Sequence, residues 1–302
     1  MNGIIIIDKP QDFTSFDVVA VMRRLCKERK IGHTGTLDPM ATGVLPLLLG
    51  KATRAASLIE DTGKEYLAGF RLGVATDTQD STGKVTAQSE TKVTKAQLLA
   101  VLPQFTGDIM QMPPMYSAVS KNGQRLYKLA RQGIEVERES RPITVENLLL
   151  NEFDENTQTG SLTVGCSKGT YIRTLCADIG TQLQSCGIMT NLRRTRAAGF
   201  TLADSITLEE AKERSAAGTL EQKALPIEKL FESYEKIMVT EAQTVRFCNG
   251  GGLSLERTSL LAQQQTEGKI FCAYSPDQTF LGLGKVNLEK AELSVLKLFC
   301  EQ

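Results

Sequence analysis

Between Gly32 and Pro46 the chain reads GHTGTLDPMATGVLP. No continuous helix or strand accommodates this stretch, because Gly32, Gly35, Gly43, Pro39 and Pro46 surround one ionisable carboxylate, Asp38. Glycine at this density lets a backbone turn sharply and approach a ligand closely. His33, the only histidine of the chain, stands beside it. The Asp38-Pro39 pair has two readings. Aspartate opens turns by bonding nearby amides, and a residue before proline is driven extended. Alternatively, a carboxylate on a glycine-rich loop between a basic helix and an apolar strand is where a rigid scaffold carries a catalytic group.

The flanking segments supply that scaffold. Gly3 to Ile7 is a β-branched run ending at Asp8-Lys9-Pro10, a buried strand. Thr14-x-x-Asp17 opens a helix whose buried face holds Val18, Val21, Met22 and Leu25, with Arg23, Arg24, Lys27, Arg29 and Lys30 on the remainder. That charge run is either a solvated helix surface or a phosphate contact. After the loop, Leu45 to Leu49 reads as a strand and Ala52 to Ile59 as a helix. Glu65 to Gly73 alternates as a half-buried strand that points Tyr66 to the side of Ala68, Phe70 and Leu72. On pattern alone, Tyr66 is equally a core tyrosine. Thr76 to Gly83 is turn-rich, and Thr94-x-x-Gln97 opens a helix with Leu98, Leu99, Leu102 and Phe105 as apolar members.

Residues 112–142 form a basic insertion, broken by Pro113-Pro114 and by an Asn122-Gly123 turn. Strands follow at Pro142 to Leu150 and Ser161 to Cys166. A helix then buries Ile172, Leu175, Cys176, Ile179 and Leu183. Arg173 lies off that stripe at the helix start, where a cation calls for a nearby anion unless it is simply solvated. Arg193, Arg194 and Arg196 form a further basic cluster, and Thr207-x-x-Glu210 opens the last expected helix. From about Tyr234 onward strands recur at Ile237 to Val239, Lys269 to Tyr274, Thr279 to Val286 and Leu293 to Phe299, with Asn249-Gly250-Gly251-Gly252 as a turn.

Several motifs resemble the TruB family, the bacterial tRNA pseudouridine-55 synthases. GHTGTLDPMATGVLPLLLG matches the family's catalytic motif. Asp8-Lys9-Pro10, Lys64-Glu65-Tyr66, Ser167-Lys168-Gly169-Thr170-Tyr171-Ile172-Arg173-Thr174 and Leu192-Arg193-Arg194 follow in the family's order. These blocks cover about the first two-thirds of the chain; the last seventy or so residues match more weakly. The resemblance implies an α+β fold: a pseudouridine-synthase-like catalytic domain over 1–232, on a mixed, largely antiparallel sheet and carrying the insertion at about 112–142, and a small β-rich PUA-like RNA-binding module over 233–302. It implies isomerisation of uridine 55 in the T loop of tRNA, with the target base flipped out of its stack. Asp38, Tyr66 and Arg173 are the catalytic residues it points to, and His33, Tyr171, Leu192 and Lys9 the substrate-binding ones. Within that set Tyr66 stacks on the flipped base, His33 supports the displaced loop, and Lys9 with Pro10 supports the catalytic loop. Tyr66 is also a candidate for handling the proton at C5. Arg173 is expected to keep Asp38 ionised by a bidentate contact.

The reaction adds and removes no atoms, so no cofactor or metal is expected, and a monomer acting on the tRNA T arm suffices. Lys+Arg 35 against Asp+Glu 35 leaves a net charge of zero, so RNA affinity must come from local basic clusters. Seven scattered cysteines without a C-x-x-C pair, and a single histidine, form no plausible zinc constellation and read as reduced thiols of a cytoplasmic protein. Two other functions compete. A non-catalytic RNA binder would use the same surfaces with Asp38 only shaping a turn. An RNA N-glycosidase would need a second carboxylate to activate water, and the loop holds none.

Overall fold

The computed structural model describes residues 1–59, 63–121, 123–262 and 266–300. Its strands and helices in chain order begin with β1 (Gly3–Lys9), α1 (Ser15–Leu25), β2 (Ile31–His33), β3 (Thr42–Leu49) and β4 (Lys64–Leu72). A hairpin of β5 (Val74–Thr76) and β6 (Val85–Gln88) precedes α2 (Lys95–Val101) and β7 (Gly107–Gln111). The insertion contributes β8 (Ser120–Lys121), β9 (Gln124–Arg125) and α3 (Leu126–Arg131). Then come β10 (Arg141–Asp154), β11 (Thr159–Cys166), α4 (Ile172–Gln182), β12 (Gly187–Ala197), β13 (Phe200–Thr201) and α5 (Leu208–Ala216). The last segment holds β14 (Glu235–Met238), α6 (Glu241–Cys248), β15 (Leu253–Ser254), β16 (Ile270–Tyr274), β17 (Phe280–Asn287) and β18 (Glu292–Leu298).

Among the described residues nine strands form the main sheet, in the order β1-β3-β12-β4-β11-β10-β7 with β2 on β3 and β13 on β12. Its pairings are antiparallel except β12 with β3. This is the mixed, largely antiparallel sheet expected. The continuous apolar runs are explained by burial on both faces. Ile5 and Ile7 of β1 pack with Val18, Val19 and Met22 of α1 on one side. Ile4 and Ile6 pack with Val44, Ala52 and Phe200 on the other. Pro46 sits in mid-strand without breaking it. Its carbonyl accepts from Thr34 N–H at 3.2 Å, on the edge of β3 away from β1. In an extended strand a residue's nitrogen faces the same edge as its carbonyl, so the missing N–H takes nothing from the β1 ladder.

Local signals held where they were caps. Thr14 and Asp17 close a capping box on α1, and Thr94 and Gln97 close another on α2. Val19 takes the fully buried place on α1 expected of Val21, and Leu99 on α2 is 48% exposed. The helix expected at Ala52 to Ile59 is a 3-10 turn over Gly50–Ala55. Gly50 enters it with φ +57°, and Thr53 Oγ1 donates to the Gly50 carbonyl at 2.7 Å, a local bond that competes with regular helix. Asn122 of the expected Asn122-Gly123 turn lies outside the described residues.

The C-terminal strands form a separate sheet, β14-β16-β17-β18-β15. α6 was not expected, although Thr240 and Gln243 make the same capping box that marked α1 and α2. Ala55 and Leu58 pack with Phe231, Cys272, Tyr274 and Phe299, joining this sheet to the 3-10 turn after β3.

β3 and β12 meet at Gly43 opposite Arg194. Gly43 has φ +104°, and a Cβ there would stand 2.2 Å from the Arg194 carbonyl oxygen and 2.8 Å from its nitrogen. Neither atom can move without separating the strands. Gly43→Ala is therefore expected to cost at least about 3 kcal/mol, a fall of roughly 6 to 12 °C in thermal midpoint. An unchanged midpoint would show that the strands can part cheaply.

Candidate active site

Gly43, Arg194 and Tyr66 lie in one row across β3, β12 and β4. Arg194 is fully buried. Its Nε donates to Val44 O at 2.7 Å, and its Nη2 and Nη1 donate to Gly35 O at 3.1 Å and Thr36 O at 3.5 Å. Burial lowers its pKa, and a hydrogen bond with the Tyr66 hydroxyl opposes that shift. The guanidinium therefore holds the Gly32–Pro46 loop from inside the sheet. Two further side chains complete the grip. Ser15 Oγ accepts from Leu37 N–H at 2.8 Å and lies 3.3 Å from Leu37 O. Lys9 Nζ donates to Phe13 O at 2.5 Å, Pro10 O at 3.0 Å and Pro39 O at 3.1 Å. Lys9 is fully buried, and its pKa is lowered to about 8 by that burial, against the attraction of Asp38. Through Pro39 it braces the loop from behind.

The braced loop presents Asp38. Arg173, at the start of α4, places Nε 3.0 Å from Asp38 Oδ2, and its Nη1 lies 3.5 Å from Asp80 Oδ2. Nη1 also donates to Thr78 O at 3.1 Å and Nη2 to Tyr116 O at 2.9 Å. The expected anion is present, but the bidentate contact is not: the fork is divided between two carboxylates and two carbonyls. Asp80 is the residue sequence reasoning missed. Its Oδ1 accepts from Thr78 Oγ1, Thr82 Oγ1 and Thr82 N–H at 2.7, 2.6 and 2.9 Å. The Thr78-x-Asp80-x-Thr82 pattern, read only as a turn, was the signal available.

The Asp38 side chain keeps 39% of its surface open while Arg173 keeps 7%. Protein crowds the carboxylate on its closed sides, and this burial raises its pKa above 3.8. Arg173 opposes the rise, Asp80 adds to it and Lys9 opposes it. Burial and the guanidinium thus act on Asp38 in opposite directions, and burial is the larger. With 39% of the side chain open the desolvation is partial. Asp80→Asn removes one of the upward causes and frees Arg173 for Asp38. The acid limb of turnover is expected to move to lower pH, with a plateau reduced about tenfold through looser anchoring of Arg173. A single-turnover pH profile measures both; a limb moving to higher pH contradicts the arrangement.

Tyr66 and Leu192 are buried and share a core cluster with Leu37 and Ala41 of the loop. Burial raises the Tyr66 pKa despite Arg194. A phenol kept protonated is a hydrogen-bond donor. Tyr171 caps α4, its backbone bonded both ways to the Gln111 amide at 2.8 and 3.1 Å. His33 ends β2, and burial and Arg194 keep it toward the neutral form.

The basic clusters divide. Arg193 pairs with Asp8 at 2.7 and 3.1 Å, and Arg194 is internal, so neither is a free phosphate contact. Strand alternation explains this: neighbouring arginines on β12 face opposite sides. Arg23, Arg24, Lys27 and Arg29, with Glu28, instead line an open surface cavity of about 540 Å³. Phe16 is 62% exposed on the same helix, with the Arg23 guanidinium 5.5 Å over its ring.

Residues 23–172 match the family model described as TruB family pseudouridylate synthase (N terminal domain), and residues 173–234 match that of the tRNA pseudouridylate synthase B C-terminal domain. A curated relative from Clostridium perfringens, named tRNA pseudouridine synthase B, is 44% identical over 289 residues, covering 94% of this chain and 95% of its own. Its namesake from Clostridium tetani is 41% identical, covering 96% and 97%. Among solved structures, a chain of a Cbf5-Nop10-Gar1 complex superposes with a TM-score of 0.73 at 27% identity, over 99% of this chain and 84% of that one.

Proposed function

The chain belongs to the TruB family of pseudouridylate synthases, and from that premise we propose that it isomerises uridine 55 in the T loop of tRNA to pseudouridine, with Asp38 acting on a uridine flipped out of the loop. The observation that carries the reading is the half-open Asp38 carboxylate, fixed by a braced loop against the buried Arg173. The N1–C1′ bond breaks, the base turns in place, C5 bonds to C1′, and the C5 proton is given up while N1 regains one. Asp38 serves this either by attack on C1′ or by taking a proton from C2′; both need an ionised carboxylate beside the sugar.

Extruding a stacked base costs a few kcal/mol. Stacking against Tyr66 returns ~1 to 3 kcal/mol, with Leu192 and Tyr171 lining the pocket and His33 supporting the displaced loop. We assign catalysis to residues 1–232, closure over the T arm to the insertion at about 112–142, and further RNA contact to 233–302. The enzyme acts as a monomer in the cytoplasm and uses no metal. No helix among the described residues is long and apolar enough to cross a membrane.

The direct test is incubation with a T-arm RNA. The reading requires an RNA of unchanged mass carrying pseudouridine at position 55, and no product when that uridine is replaced by cytidine. Release of free uracil would instead establish a glycosidase. Phosphate contacts from α1 and the insertion make affinity salt-sensitive: about two to four neutralised phosphates weaken Kd by about 10- to 100-fold between roughly 50 and 200 mM salt. Fluorescence anisotropy reads this, and a salt-independent Kd would contradict the phosphate contacts.

A further inference from the structure

Phe16, at the start of α1, has no part in the chemistry at Asp38. A single apolar side chain on a surface needs no explanation, but this ring is built into its surroundings. The Arg23 guanidinium, two turns along the same helix face, sits 5.5 Å over the ring and donates to Ile31 O at 3.4 Å. With the residue still 62% exposed, the ring's other face is open to solvent. Arg23 also lines the open cavity of about 540 Å³ that it shares with Arg24, Lys27, Glu28 and Arg29. Glu28 accepts from Lys30 N–H at 2.9 Å, and among the described residues none of Arg24, Lys27 and Arg29 forms an ion pair. One guanidinium thus joins an open aromatic face to a pocket of cations.

The place of the ring matters as much as its chemistry. Phe16 follows Ser15, Leu37 precedes Asp38, and Ser15 Oγ accepts from Leu37 N–H at 2.8 Å. Two Cα steps of about 3.8 Å, with that contact between them, keep the Cα atoms of Phe16 and Asp38 within about 15 Å. Asp17, the carboxylate adjoining Phe16, is engaged by Thr14 N–H and Oγ1 at 2.9 and 2.6 Å. Four cations around one aromatic ring favour a polyanion that carries π faces of its own, which is single-stranded RNA.

We propose that Phe16 is a stacking platform for a second unpaired base of the T loop, next to the uridine that enters the Asp38 site, with Arg24, Lys27 and Arg29 holding the phosphates beyond it. Resting on the reading of this chain as a T-loop isomerase, it adds a base contact outside the catalytic pocket. Every nucleobase has a π face, so the platform takes a base of any identity. The guanidinium over the opposite face already fixes the ring, so stacking orders little else.

The test titrates the full-length protein with a T-arm RNA hairpin by fluorescence anisotropy at several salt concentrations, with pseudouridine formation by wild type followed in parallel. Phe16→Ala is expected to weaken Kd by about 5- to 50-fold with an unchanged salt slope, and Phe16→Trp to stay within about twofold of wild type. Arg24→Gln instead lowers the salt slope by about 0.7 to 0.9, the share of one phosphate. Hairpins with one abasic loop position at a time locate the base. At one position the abasic hairpin binds wild type as weakly as the intact hairpin binds Phe16→Ala, and combining the two costs nothing more. A Phe16→Ala Kd within about twofold of wild type, a loss in Phe16→Trp equal to that in Phe16→Ala, or a Phe16→Ala loss that adds in full to every abasic loss overturns the proposal. Wild type that binds the hairpin without isomerising it would fail the functional reading alone.

Discussion

Asp38→Asn is expected to abolish turnover, lowering the single-turnover rate by about 10⁴-fold or more, while T-arm affinity and folding survive. The loop's shape does not depend on the carboxylate. Arg194, Ser15 and Lys9 bind its backbone carbonyls and amides, and the Asp38 carbonyl accepts from Ala41 N–H at 3.0 Å. Stability should not fall either. The folded pKa of Asp38 lies above 3.8, so its contribution to stability is fully present below the unfolded pKa and is lost as pH rises through the folded value. At neutral pH the ionised group is a net cost, and an amide of the same shape removes it. The variant's thermal midpoint should therefore equal or exceed that of wild type. A midpoint several degrees lower would mean that the carboxylate is a structural element of the turn, the reading favoured by Asp38-Pro39 in isolation.

Arg173→Lys is expected to lose about 10²- to 10³-fold in turnover although the charge is kept. The planar fork serves Asp38, Asp80, Thr78 and Tyr116 from three nitrogens at once. A lysine ammonium presents its donors from one point and cannot span them. It leaves Asp80 buried with a weakened partner, and breaking such a pair costs about 3 to 5 kcal/mol. Asp38, 39% open to solvent, adds little to that cost because water screens it. Loss of turnover together with a lower thermal midpoint is the expected signature, distinct from that of Asp38→Asn. Near wild-type turnover in Arg173→Lys would remove Arg173 from the site.

What could be read from the chain alone follows from how local each determinant is. Capping boxes involve residues three apart, so Thr14-x-x-Asp17 and Thr94-x-x-Gln97 placed two helices correctly. The same logic, applied past Tyr234, would have found α6 at Thr240-x-x-Gln243. Period-two burial placed β4 and the side of the sheet that Tyr66 faces. Long-range partners were not legible. Asp80 meets Arg173 across 92 intervening positions, from a turn that has its own local reason to exist, and only the docking of that turn on Met189 brings the two together. Arg194 looked like part of a basic surface because nothing local distinguishes a buried guanidinium from a solvated one. Its register opposite Gly43 and Tyr66 is what sends it inside.

We propose that Asp38 acts at the sugar carbon of a flipped uridine. This is tested most directly with tRNA carrying tritium at C5 of uridine 55, following label release in a single turnover by wild type and by Asp38→Asn at matched, measured occupancy. Wild type should release the label in step with pseudouridine formation, and Asp38→Asn should bind equally and release none above the enzyme-free rate. Release by Asp38→Asn at a rate near that of wild type would contradict the account.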